Sequence, residues 1–185
     1  EAAAVDGDII QLVSEGGPYT AIQTSKALTL CGSIAQALIR VTTAQPMVIS
    51  GLGANKVFAL KSLLLVHDNS AGPCLQVQNC LGQVHLDLVE ISGGQPGLDV
   101  SLGTLTMKEG RLLPVSPYSA TVVAQAATLS FVAVAISGSP ADNRFSFQAQ
   151  PAVSLNARTA SFVGCNLQGG SGDLALEPEC GVRAA

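Results

Sequence analysis

Tryptophan is missing from this sequence of 185 residues, and phenylalanine and tyrosine bring the aromatic share to only 4%. Charge is scarce too: 12% of residues are charged, against roughly 25% in an ordinary globular domain. The nine basic residues are scattered and the net charge is −4. The chain therefore has no cationic stripe to follow a nucleic-acid backbone or an anionic membrane surface. The five cysteines (Cys31, Cys74, Cys80, Cys165, Cys180) contain no C-x-x-C pair, which argues against a zinc knuckle. Because Cys is among the residues most often buried, they read as small core side chains. One or two disulfides, which would imply an oxidising compartment, are the alternative.

The usual catalytic signatures are also lacking. There is no G-x-S-x-G and no Cys/His arrangement that would activate a nucleophile. "GLGANK" (residues 51–56) is a lone glycine-rich turn without P-loop or Rossmann spacing. Arg111, Arg144 and Arg158 are isolated. No metal or cofactor is expected.

What is present is small and apolar: 48% of residues are hydrophobic, punctuated by nineteen Gly and nine Pro. Such a chain buries much of its length and is not disordered. Its length suits a single domain over residues 1–185, either alone or as a piece of a longer solenoid. Residues 120–137 ("ATVVAQAATLSFVAVAIS") reach the length that raises the question of a membrane span. They carry Gln125 and several Ser and Thr and divide into two strand-sized runs, so no membrane insertion is expected. The first residues lack the basic start, apolar centre and cleavage site of a signal peptide.

Prolines set a register. Pro18, Pro46, Pro73, Pro96, Pro117 and Pro140 are 28, 27, 23, 21 and 23 residues apart by subtraction, and each precedes a short extended run. A second apolar-x-apolar pair follows in every unit: Leu28/Leu30, Phe58/Leu60, Val84/Leu86, Leu105/Met107, Leu129/Phe131 and Val153/Leu155. A third apolar stretch comes next, and a turn of Gly, Ser, Asp or Asn closes the unit. An imperfect further copy begins at "GDLAL", residues 172–176. Alternation with period two means strands with one buried face. Three short strands per repeat describe an all-β, three-sided parallel β-solenoid of about six to seven coils. Each coil buries its inward row only by stacking on its neighbours. In "PCLQV" and "PGLDV", Leu75 should lie over Leu98 and Val77 over Val100, with Gln76 and Asp99 facing out.

"GDIIQLVSEGGPYTAIQTSKALTLCG" (residues 7–32) resembles the opening coil of right-handed parallel β-helix proteins of the pectate-lyase-like superfamily. Gly7, Asp8, Tyr19, Lys26, Leu28, Thr29, Leu30 and Gly32 carry the resemblance, and the later coils are similar to the parallel β-helix repeats of those proteins. The resemblance implies right-handed coiling. It also implies a secreted or cell-surface setting and a possible polysaccharide partner.

A lyase or glycosidase of this kind needs an acidic cluster, or carboxylates on adjacent coils flanking one bond. The candidates are Asp68, Asp87, Glu90 and Asp99. Aligning the second strands places Lys61, Asp87 and Lys108 in one outward column. That column is either a solvated ion-pair ladder or a catalytic Asp held ionised by two lysines. His67 is expected in a turn and His85 at an outward strand position, so the two should not meet. Tyr19 and Tyr118 each follow a repeat proline and are the candidate sugar contacts. Phe131, Phe145, Phe147 and Phe162 should stack inward. The leading expectation is a non-catalytic structural or surface-recognition solenoid, able to form a homo-oligomer through open ends, because uncovered strand edges recruit other strands. A carbohydrate-active or sugar-binding β-helix is the alternative.

Overall fold

A computed structural model describes residues 3–33, 36–68, 71–113, 119–139 and 149–170, together with the backbone of Val182–Ala184. The apolar-x-apolar runs become strands, and the strands form three sheets of seven, each wholly parallel. Sheet A contains Ile9–Leu12, Thr29–Gly32, Val57–Lys61, Gln83–Asp87, Thr104–Lys108, Thr128–Val132 and Thr159–Val163. Sheet B contains Tyr19–Thr20, Ala37–Val41, Leu63–His67, Glu90–Ser92, Arg111–Leu113, Ala135–Ser137 and Asn166–Gln168. Sheet C contains Gln23–Thr24, Met47–Ser50, Leu75–Gln78, Leu98–Ser101, Val122–Gln125, Val153–Asn156 and Val182–Ala184. The chain visits A, B and C in turn seven times, which makes a three-sided parallel β-solenoid. No α-helix occurs among the described residues.

The core is a set of columns running through the stack. Leu30, Leu60, Leu86, Met107, Phe131 and Phe162 form one on sheet A. Leu75 lies over Leu98 and Val77 over Val100 on sheet C, all four fully buried. Each such side chain contributes about 1.5–3 kcal/mol relative to exposure. The Phe131 and Phe162 rings stack at 5.2 Å with 6° between their planes. Phe145 and Phe147 lie outside the described residues.

Two corners between sheets form ladders of their own. Between A and B, Ser62, Leu88, Glu109, Ala133 and Gly164 all have positive φ. Each N–H of the first four donates to the carbonyl of the last sheet-A residue in the next coil, for example Leu88 to Lys108 at 3.0 Å. Between C and A, Gly51, Asn79, Leu102 and Ala126 repeat the arrangement. The left-handed residue turns the chain sharply while the inter-coil hydrogen bonds continue, so the N–H of each of these corner residues except Gly164 keeps a partner.

Several expectations need correction. Val153/Leu155 lies on sheet C, paired with Val122 and Ala124, and the sheet-A pair of that coil is Ala160/Phe162. A longer connection between Ser137 and Val153 delays the strand, so Pro151 rather than Pro140 stands before it. Pro18 leads into sheet B, and "YTAI" turns a corner between Tyr19–Thr20 and Gln23–Thr24. Its coil begins earlier, at Ile9–Leu12, so paired sheet-A positions step by 20, 30, 26, 21, 24 and 31 residues (by subtraction along 9, 29, 59, 85, 106, 130, 161). His67 is the buried last residue of a sheet-B strand and not part of a turn. "GDLAL" lies outside the described residues.

Residues 120–137 split into three strands rather than two: Val122–Gln125, Thr128–Val132 and Ala135–Ser137. No helix among the described residues is long and apolar enough to cross a membrane. Cys31, Cys74, Cys80 and Cys165 are free thiols, with Cys74 and Cys80 buried in the core. Cys180 lies outside the described residues.

Candidate functional site

Strand alternation gives sheet A three outward columns. One runs Val57–Gln83–Thr104–Thr128–Thr159, and a second Thr29–Ala59–His85–Thr106–Ser130–Ser161. The third is Cys31–Lys61–Asp87–Lys108–Val132–Val163. The alignment of Lys61, Asp87 and Lys108 expected from the repeat is therefore present. A shallow groove of about 390 Å³ crosses this face, lined by Thr29, Lys61, His85, Asp87, Thr106 and Lys108 among others.

The side chains do not form the expected ion-pair ladder. Ion pairs join Arg40 to Asp68 (3.1 Å), Lys56 to Asp6 (2.6 Å) and Lys108 to Glu109 (3.3 Å). Among the described residues none joins Asp87 to either lysine. Neighbouring coils sit about 4.8 Å apart, and Lys108 instead turns to the acid next to it in sequence. His85 Nε2 is 3.1 Å from Gln83 Oε1, two residues away on the same face. The groove thus offers two ammonium groups and an imidazole around a single carboxylate.

The four candidate carboxylates do not converge. Asp87 faces out from sheet A, Glu90 from sheet B and Asp99 from sheet C. Asp68 follows the last residue of a sheet-B strand, four residues beyond Leu64, the partner of Glu90. Four residues of strand are about 13 Å.

Tyr19 sits in the inward column of sheet B, paired with Ile39. Its hydroxyl donates to the Val13 carbonyl (2.9 Å) and accepts from the Val13 N–H (3.1 Å). The ring therefore closes the first coil instead of presenting a platform. Tyr118 lies outside the described residues. His67 and His85 project from different sheets, inward and outward respectively. Several residues of the opening motif hold the first turn: Lys26 Nζ donates to the Ala4 carbonyl (2.6 Å), and Asp8 accepts from the Val5 N–H (2.8 Å).

The hydroxyl columns were not among the candidates expected from the sequence. Thr104/Thr106, Thr128/Ser130 and Thr159/Ser161 place six hydroxyls on consecutive coils beside the groove. Their signal was available as "TLT", "TLS" and "TAS" at the second strand of each unit. A second groove, of about 400 Å³, follows the corner between sheets A and B, lined by Gln36, Leu88, Glu90, Glu109 and Arg111 among others. Comparison with family models, curated protein sequences and solved structures returned no match.

Proposed function

We propose that this chain is a non-catalytic β-solenoid, a structural and surface-recognition module whose recognition face is the outside of sheet A. The observation that carries the reading is the adjacency, on one sheet, of the Lys61–His85–Lys108 groove and the six hydroxyls. Ammonium groups suit carboxylates, and rows of hydroxyls suit the hydroxyls of a sugar chain lying along the solenoid. An acidic polysaccharide is the ligand class, and a second copy at the solenoid ends is the other partner. Right-handed coiling, a pectate-lyase-like origin and a secreted or cell-surface setting belong to the same proposal, supported by the opening motif "GDII…KALTLCG".

The test is titration with polygalacturonate and alginate, following binding by calorimetry and turnover by the absorbance of unsaturated ends. Binding without turnover, weakened in Lys61→Ala and Lys108→Ala, is the expected result. No binding to either polymer sinks it. The second reading, a carbohydrate-active β-helix, is favoured by the place of Asp87 between two lysines in one column. Unsaturated product that disappears in Asp87→Asn would establish it instead.

A further inference from the structure

The outside of sheet A changes character along the stack. On Val57–Lys61 and Gln83–Asp87 it carries Lys61, His85 and Asp87. On the next three strands the outward residues are Thr104, Thr106 and Lys108, then Thr128, Ser130 and Val132, then Thr159, Ser161 and Val163. Lys108 is the only charge among them, and it stands at the corner with its ammonium turned to Glu109 (3.3 Å). The rest of this half of the face is neutral.

Its six hydroxyls form two ranks. The three strands pair residue for residue without a bulge. Each rank therefore steps by one strand spacing, about 4.8 Å, and the ranks lie two residues apart, about 6.6 Å. All six side chains are half-buried or exposed. Four are threonines, whose β-branching leaves χ1 little freedom. The Thr159 hydroxyl donates to that of Thr128 at 3.3 Å, so neighbours in a rank point the same way. The hydroxyls of Thr104, Thr106, Ser130 and Ser161 bond to no protein group among the described residues.

Tetrahedrally bonded water, with oxygens about 2.75 Å apart, sets its next-nearest oxygens about 4.5 Å apart. A hydroxyl rank misses that repeat by about 0.3 Å per coil, or about 0.6 Å over its length. The ordinary spread of O–H···O lengths, about 2.5–3.0 Å, absorbs the difference. Liquid water has no fixed repeat to match, whereas a crystal of water does. We infer that the neutral half of sheet A binds ice, its two hydroxyl ranks standing in for rows of water oxygens at the crystal surface. Six bonds then form and break together, so adsorption is multivalent although each bond is weak. This function goes beyond polysaccharide recognition and does not use the charged groove.

Partition of the full chain between slowly growing polycrystalline ice and the remaining liquid tests this. The expected result is enrichment in the ice, where a protein that does not adsorb stays in the liquid. Ser130→Tyr and Ser161→Tyr place a ring among the ranks and should bring partition down to that level while keeping the parent circular dichroism. Val123→Tyr, outward on sheet C, should partition like the parent. Exclusion of the parent from ice, either serine variant adsorbing like the parent, or equal loss in Val123→Tyr would each overturn the inference. Lys61→Ala keeps the two readings apart, since it should weaken polygalacturonate binding and leave partition into ice unchanged. A chain that adsorbs to ice and ignores the polymer removes only the recognition reading, and the reverse removes only this one.

Discussion

The Gln76 side-chain amide donates to the Asp99 carboxylate of the next coil at 3.1 Å, while Leu75 and Leu98 on either side of them face inward and are sealed. One residue of offset thus separates the surface of this solenoid from its core. Leu98→Ala should cost about 2–5 kcal/mol, and Asp99→Ala only about 0.5–1.5 kcal/mol, the net worth of a hydrogen bond. Guanidinium unfolding followed by circular dichroism gives both values. Equal costs would mean that the pattern of inward rows does not carry the stability.

The interior coils were legible in the sequence because an apolar-x-apolar pair recurs in each, at steps of 30, 26, 21 and 24 residues from Leu28 to Leu129. Legibility ended where a connection lengthened. Val153/Leu155 looks like any other pair, and nothing local says whether such a pair belongs to sheet A or sheet C once extra residues intervene. A turn proline is similarly ambiguous, since Pro18 and Pro46 open different sheets. His67 was misplaced because Asp68 and Asn69, strong turn residues, follow it directly. At the candidate site the Lys61–Asp87–Lys108 column was readable from register. The choice of Glu109 by Lys108 was not, because side-chain reach is decided by neighbours that no alignment of strands reveals.

The corner ladders were not legible either, since they place Leu88 (φ 55°) and Leu102 (φ 53°) in left-handed backbone, where Gly or Asn is usual. A left-handed conformation costs a non-glycine residue about 1–2 kcal/mol. Both leucines are nearly half-exposed, so little burial is lost on replacing them. Leu102→Asn should therefore raise stability by about 1 kcal/mol, read as a higher melting temperature. A lower one would show that the leucine side chain contributes more than its backbone costs.

Close approach, rather than φ, explains Gly32. It ends a sheet-A strand beneath the corner residue Ser62, and a Cβ there would run into the Ser62 carbonyl oxygen. Backbone must move to admit it, so Gly32→Ala should destabilise by on the order of 3 kcal/mol. Gly53→Ala is the control, because a Cβ there meets only the flexible Lys56 side chain at ordinary distance. The same loss at both positions would rule out the coil-to-coil clash as the cause.

Cys74 gives the solenoid a dependence on alkaline pH. Burial pushes its thiol from the ordinary 9.0 up to about 12, because the thiolate would lose its hydration inside the stack. The folded chain therefore holds this proton more tightly than the unfolded chain does. The stabilisation is complete below pH 9, and it declines as the pH rises from 9 toward 12, where the unfolded state releases the proton first. Unfolding midpoints measured across that interval should fall for the parent and fall less for Cys74→Ala, whose own cavity cost is constant with pH. In the native state the neutral thiol should also resist a maleimide at pH 8 that labels the half-buried Cys31 and Cys165. Parallel pH profiles for parent and variant, or labelling of Cys74 as fast as Cys31, would place this thiol outside the sealed core.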